Sequence, residues 1–226
     1  MSRLTVFMVK WRVNLASGGG APSQKSQSEP SRSPEESEEG QDDVALMLRV
    51  KTGDVEAFEV LVVRHQHSVV GTAAKMLGCA AEAEDIGQQV FIRVWKSAAR
   101  YEPSAKFTTW LMTITRNLVF NEMRRRRRAN LLPLEADQDD AAPRQFADGE
   151  APAPSKELLD AELNGAIDAA IAGLPENQRV AIVLRRYEGM PYEEIAQVLR
   201  TSVPAVKSIL FRARSELKER LKKYLG

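Results

Sequence analysis

The residues best suited to chemistry in this chain lie on one stretch, Met190 to Leu217. Lys207, Ser208, Phe211 and Arg212 share one side of a helix at about 100° per residue, and Val206, Leu210, Ala213 and Leu217 share the other. Burial normally claims a phenylalanine. Phe211 instead stands on the wet side between cations. There it can press a thymine methyl or a sugar while Lys207 and Arg212 take phosphates or guanine edges. The chemistry on offer is recognition of duplex nucleic acid. The same spacing also fits an ordinary helical hairpin with a solvated basic face, and pattern alone leaves both open.

A second file lies upstream. Trp110, Asn117, Asn121 and Arg124 follow one another at spacings of 7, 4 and 3, within about 60° on a helix. Phe107, Leu111, Ile114 and Leu118 make an apolar stripe beside them, and Arg124 to Arg128 is an unbroken arginine run. An aromatic, two amides and an arginine in line offer an unpaired strand stacking, base-edge hydrogen bonds and a phosphate partner. A core tryptophan flanked by capping amides is the plainer reading, and spacing does not separate the two.

Formal net charge is only +1 over 226 residues, but the charge is segregated. Glu135 to Glu150 is acidic with only Arg144 opposing, between the arginine run and a Lys/Arg-rich stretch from Pro175 to Gly226. Two basic blocks around an acidic spacer are expected of two modules that touch a polyanion. Catalysis is not in view. The chain has no nucleophile–base pair, carboxylate constellation, phosphate loop or metal set, so neither enzyme activity, nor a cofactor, nor a bound metal is expected. Cys79 stands alone, with no disulfide framework, and reads as a small buried residue in a reducing cytoplasm. His65 and His67, two apart, face different sides of their helix and do not read as ligands. No apolar run approaches the ~20 residues of a membrane span, and Leu4 to Leu15 is short and broken by Lys10 and Arg12.

The elements that must position these files read as helices throughout. The expected class is all-α: two small helical domains joined by a flexible acidic linker, the C-terminal one a helix-turn-helix. Residues 1–41, rich in Ser, Pro, Gly and Glu, read as a disordered tail. Residues 42–128 read as the first domain. In it Asp43 is expected to cap Val44 to Val50, and Asp54 the next helix. That helix has a stripe of Phe58, Leu61, Val62, Val69, Ala73, Met76 and Leu77 and ends at Gly78. Glu82 to Ala98 is a further helix, Tyr101 to Ala105 a loop, and Phe107 starts the helix of the Trp110 file. Residues 129–158 hold Pro133, Pro143, Pro152 and Pro154 without periodicity and read as linker. Residues 159–226 read as the second domain, preceded by the start of its first helix at Lys156. This helix runs to Ala172 and is closed by Gly173. Glu176 to Tyr187 and Tyr192 to Leu199 follow, then a turn over Arg200 to Ser202 and the Phe211 helix. Ser202 is a good cap for that helix, and Pro204 is tolerated in its first turn.

Two blocks carry a resemblance. AEDIGQQVFIRVW (Ala83 to Trp95), FTTWLMTITRN (Phe107 to Asn117) and the arginine run resemble the second conserved region of the extracytoplasmic-function (ECF) group of bacterial RNA polymerase sigma factors, in the sigma-70 family. Leu174 to Arg214 resembles the fourth region. The resemblance implies a detachable subunit that lends promoter recognition and strand opening to core RNA polymerase, in a stress or envelope response. Its implied partners are core RNA polymerase, promoter DNA and an anti-sigma factor, with a cytoplasmic location and no membrane insertion. Carried over by position, Asp85, Gln88, Gln89, Phe91 and Trp95 match the helix that docks on the polymerase's largest subunit. Tyr101 to Lys106 match the loop that captures an unstacked base of the minus-ten element. Phe107, Thr109, Trp110, Asn117, Asn121, Arg124 and Arg125 lie on the helix that melts and reads that element. Lys207, Ser208, Phe211, Arg212 and Arg214 match the readers of the minus-thirty-five element.

Some positions depart from the family's pattern. Gln89 stands at a frequent Glu, Ala205 at a frequent Thr and Ile209 at a frequent Arg. Arg200 sits where Gly is common, which predicts strain of about 1 kcal/mol in the turn. A helix-turn-helix repressor or activator with a helical dimerisation domain is the competing reading. It accounts for Lys207 to Arg214 but not for the Trp110 file.

Overall fold

The computed structural model describes residues 34–131 and 156–224. The expectations for the first 33 residues and for most of the acidic linker fall outside the described residues. Every regular element among the described residues is helical. The first unit is built from α1 (Pro34–Lys51), α2 (Val55–Leu77), α3 (Ala83–Ser97) and α4 (Phe107–Leu131). The second is built from α5 (Lys156–Ala172), α6 (Glu176–Arg186), α7 (Tyr192–Leu199) and α8 (Val203–Arg220). No helix among the described residues is long and apolar enough to cross a membrane.

Local chemistry sets most helix ends. Asp54 caps α2 by accepting from the Ala57 amide at 3.0 Å, and Arg49 donates to the same carboxylate at 2.9 Å. The Ala57 amide first, and Arg49 second, hold that carboxyl below the usual range. Gly78 closes α2 in the left-handed region (φ 69°), its N–H bonded to the Ala74 carbonyl. Ser202 caps α8 by accepting from Ala205, with Pro204 in the first turn. Arg200 ends α7 with φ 53° and ψ 50°. Among the described residues it is the one non-glycine with positive φ, so the strain predicted from sequence is present.

Two expectations are corrected. Asp43 is not a cap: α1 begins at Pro34, within the stretch read as tail, and runs past it. Proline suits a first helical position. With no free amides to bind, the Asp43 carboxylate turns onto α2. There, 2% exposed, it accepts from Arg64 at 2.6 Å and shares a hydrogen bond with His65 Nε2 at 2.8 Å. Cys79 is not buried but half-exposed. It lies just past the end of α2, on the wall of a cleft between α2 and α5 that also holds Lys75 and Asp168.

The first core is organised around Phe58. Its ring lies 6.5 Å from that of Phe91, edge-on, and 5.1 Å from that of Trp95, tying α2 to α3. In the second unit Val206, Leu210 and Ala213 are buried as their spacing predicts. They pack against α6 as well as α7. One continuous cluster of buried apolar residues runs through both units.

Replacing Arg200 by Gly relieves the left-handed strain at the cost of a more flexible unfolded chain. The expected net effect is a gain of a few tenths to about 1 kcal/mol, read as a higher midpoint in chemical unfolding.

Candidate nucleic-acid interface

The helix-turn-helix presents its cations openly. Burial of Val206, Leu210 and Ala213 fixes the rotation of α8, and Lys207, Ser208, Arg212 and Arg214 are all exposed. Phe211 is 72% exposed, the largest value among the exposed large hydrophobic residues described. Among the described residues no ring or cation stacks on it. Arg214 reaches back 3.5 Å to the Tyr192 hydroxyl, which steadies it beside Lys207 and Phe211.

On α4 the file is present but differently housed. Phe107 and Leu111 are buried and set its rotation. Trp110 is half-buried, its ring 5.0 Å from Tyr101 and 5.9 Å from Phe107. Asn117 is half-buried and accepts from Arg116 at 3.0 Å, while Asn121, Arg124 and Arg125 are exposed. Three residues named by resemblance are interior: Tyr101 and Thr109 are 2% exposed and Phe107 1%. Tyr101 and Phe107 therefore brace the Trp110 ring and do not face a strand themselves. Burial raises the Tyr101 phenol's pKa, with the nearby Asp43 carboxylate adding to it. The exposed part of the loop is Glu102, Pro103 and Ser104, with Lys106 at its edge.

The arginine run is not uniform. Arg125 is held by Glu122 at 2.7 Å, and this contact pulls the Glu122 carboxyl below its ordinary range. Arg126 pairs with Glu82, and Arg127 with Glu176 of α6.

On α3, Asp85 and Gln89 are exposed and Gln88 half-buried. Trp95 is partly buried against the core, and Phe91 is fully buried at 0%. Phe91 is thus a core residue that orients α3, not a surface group. An aromatic three residues after Gln88 could be read as surface only while the packing of α3 on α2 was unknown.

Sequence reasoning missed the seam between the units. α4 packs along α7, and α2 along α6 and α5. Thr109 donates to Glu194 Oε2 at 3.1 Å, and Lys106 lies 3.1 Å from Glu194 Oε1. Ser68 donates to Glu188 at 2.7 Å, and Thr72 donates to the same carboxylate. Lys75 pairs with Asp168 at 3.1 Å, and Arg179 donates to the Met76 carbonyl at 3.1 Å. Beside them the Arg116 guanidinium stacks 4.4 Å over the Phe120 ring. Its pKa is lowered by burial first, and then by Arg200 and Arg124. The spacing of Arg116 and Phe120, four apart on a helix, was the one available signal for that pair.

This arrangement has known relatives. Residues 61–129 match the family model of sigma-70 region 2, and residues 164–217 that of sigma-70 region 4. The RNA polymerase sigma-H factor of Pseudomonas aeruginosa is 32% identical over 188 residues, covering 81% of this chain and 95% of that protein. The ECF RNA polymerase sigma-E factor of Escherichia coli K12 is 33% identical over 179 residues, covering 77% and 92%. Among solved structures, CnrH in complex with the cytosolic domain of CnrY matches with a TM-score of 0.58 and 27% identity, over 80% of this chain and 98% of that one. The sigma factor RpoE in complex with the anti-sigma factor NepR, from Bartonella quintana, matches with a TM-score of 0.55 and 27% identity, over 73% and 96%. A helical unit and a helix-turn-helix unit matching these two models define the sigma-70 class. Within it, the chain belongs to the extracytoplasmic-function group of RNA polymerase sigma factors, the alternative sigma factors that direct transcription initiation.

Burial separates two kinds of residue on α3. Phe91→Ala should cost roughly 3–5 kcal/mol in urea unfolding through the cavity it leaves. Asp85→Arg, on the exposed face, should stay within about 0.5 kcal/mol of the parent.

Proposed function

We propose that each unit carries one of the two promoter contacts, and that α3 carries the polymerase contact. In this division residues 42–128 bind core polymerase and open the minus-ten element, residues 129–158 join the units, and residues 159–226 read the minus-thirty-five element. The protein works in the cytoplasm and contributes binding energy rather than catalysis. The observation that carries the reading is Phe211, a largely exposed aromatic between Lys207 and Arg212 on a helix whose opposite side is locked into the core. A ring in that position has a use only against another surface, and thymine methyls and sugars in a major groove supply one.

Opening requires a second kind of surface. Unpaired bases need stacking partners, worth about 1–3 kcal/mol each. Trp110, braced by Tyr101 and Phe107, is a preset platform for one. Asn121 and Arg124 continue the file at the surface, where they can meet base edges and phosphate. Asp85 and Gln89 form an exposed polar edge on α3, suited to a protein partner. An anti-sigma factor would act by covering either surface.

Two measurements test the assignment on holoenzyme assembled with core polymerase. Arg212→Ala should remove about 1–3 kcal/mol of discrimination between intact and mutated upstream elements, read by competition gel shift, with core binding unchanged. Asn121→Ala should leave closed complexes nearly unchanged and lower permanganate reactivity of unpaired thymines, with a pre-melted bubble template restoring part of the signal. If Asn121→Ala opens linear promoter DNA as well as the parent, the α4 file is structural.

A further inference from the structure

We propose that Glu176 and Glu194 are intramolecular stand-ins for DNA phosphates, a proposal that rests on the minus-ten reading above. In the free chain each neutralises a cation of the first unit that would otherwise hold the strand backbone, and so the seam keeps the α4 file partly shut.

The geometry is that of a phosphate site already filled. Glu194 offers one oxygen to the Lys106 ammonium at 3.1 Å and the other to the Thr109 hydroxyl at 3.1 Å. A backbone phosphate presents two anionic oxygens to a cation and a hydroxyl in the same way. The Glu194 side chain is only 14% exposed and that of Lys106 39%, so the pair is closed off from much of the solvent. Farther along α4, Glu176 takes a second cation, Arg127 within the arginine run, through one carboxylate oxygen. Both acids stand in the first turn of their helices, α6 and α7, where the helix end favours negative charge. Both carboxylates are aimed at α4.

Position completes the argument. Thr109, Arg116 and Phe120 form the file next to Trp110, Asn117, Asn121 and Arg124. The helix that covers Thr109 thus runs alongside the reading file, where an unpaired strand would have to lie. The seam also carries its own opposition. Arg200, from the turn after α7, lies close enough to Arg116 to depress its pKa, and Arg124 acts in the same sense. Over the shared apolar core, the polar part of the seam is a few salt-sensitive pairs against like charges, and an incoming polyanion competes for the same cations.

The test uses the full chain and a labelled single-stranded oligonucleotide of mixed sequence, since phosphate contacts do not read sequence. Glu176→Gln with Glu194→Gln should bind roughly 2- to 30-fold tighter than the parent in fluorescence anisotropy. Glu193→Gln removes a neighbouring exposed acid and serves as the charge control. In parallel, dyes placed at Glu84 and Ser215, in a Cys79→Ser background, should report a longer separation in the double variant. The proposal is overturned if the double variant binds no tighter than the Glu193 control, or if the dye separation stays that of the parent. Arg124→Gln is run in both backgrounds to locate a failure. If it weakens binding while the double variant matches the control, the latch is wrong and the minus-ten reading stands. Should Arg124→Gln change nothing, the minus-ten reading fails and the latch falls with it.

Discussion

The rotation of α4 about its own axis is the constraint on which the rest depends. Phe107, Leu111 and Val119 are almost completely buried, and together they turn this side of α4 to the core. That choice places Trp110 between Tyr101 and Phe107, sends Asn121 and Arg124 to the surface, and turns Thr109 toward α7. A single helix thereby serves a core, a seam and a candidate reading surface. A polar residue at Leu111 would cost more than its own burial, because all three surfaces share one rotation.

Charge is arranged to fit that geometry. A run of five arginines on one helix repels itself and would fray the helix end if left bare. Here Glu122 takes Arg125, Glu82 pairs with Arg126, and Glu176 with Arg127. Exposed pairs of this kind contribute little to stability, about 0–1 kcal/mol each. Their larger effect is to decide which guanidiniums remain for a polyanion. Arg124 and Arg128 have no ion pair with another described residue, and they bracket the run.

What was legible in the sequence was local. Asp54 and Ser202 act within three residues, so their caps could be read directly, as could the αL strain at Arg200. Lys156–Ala172 and Tyr192–Leu199 fall where apolar periodicity places them. Asp43 failed as a cap because its helix starts upstream at Pro34, and its actual partners, Arg64 and His65, lie 21 and 22 residues away. Phe91, Tyr101 and Thr109 show the same limit at the site. Periodicity assigns a residue to a face of one helix, but only the packed fold says whether that face is covered. Glu176 and Glu194 were hidden for a further reason. An acid in a first helical turn already has an ordinary explanation, so nothing in the sequence asks for a second partner.

The two candidate surfaces differ in how the fold holds them, and the difference fits what each would bind in the proposed division. Duplex DNA arrives with its groove already shaped, so α8 can present Lys207, Phe211 and Arg212 fully open at no cost to the fold. An unpaired strand does not exist until the duplex is broken. A bare platform for it would be an exposed tryptophan beside unpaired cations, prone to bind any single strand or acidic surface. In the proposed reading, half-burying Trp110 against Tyr101 and placing Glu194 on Lys106 would remove that hazard at small energetic cost. Because the two units are parts of one chain, the seam need supply only a small free energy to stay closed. A small free energy is also what polymerase and promoter together can overcome.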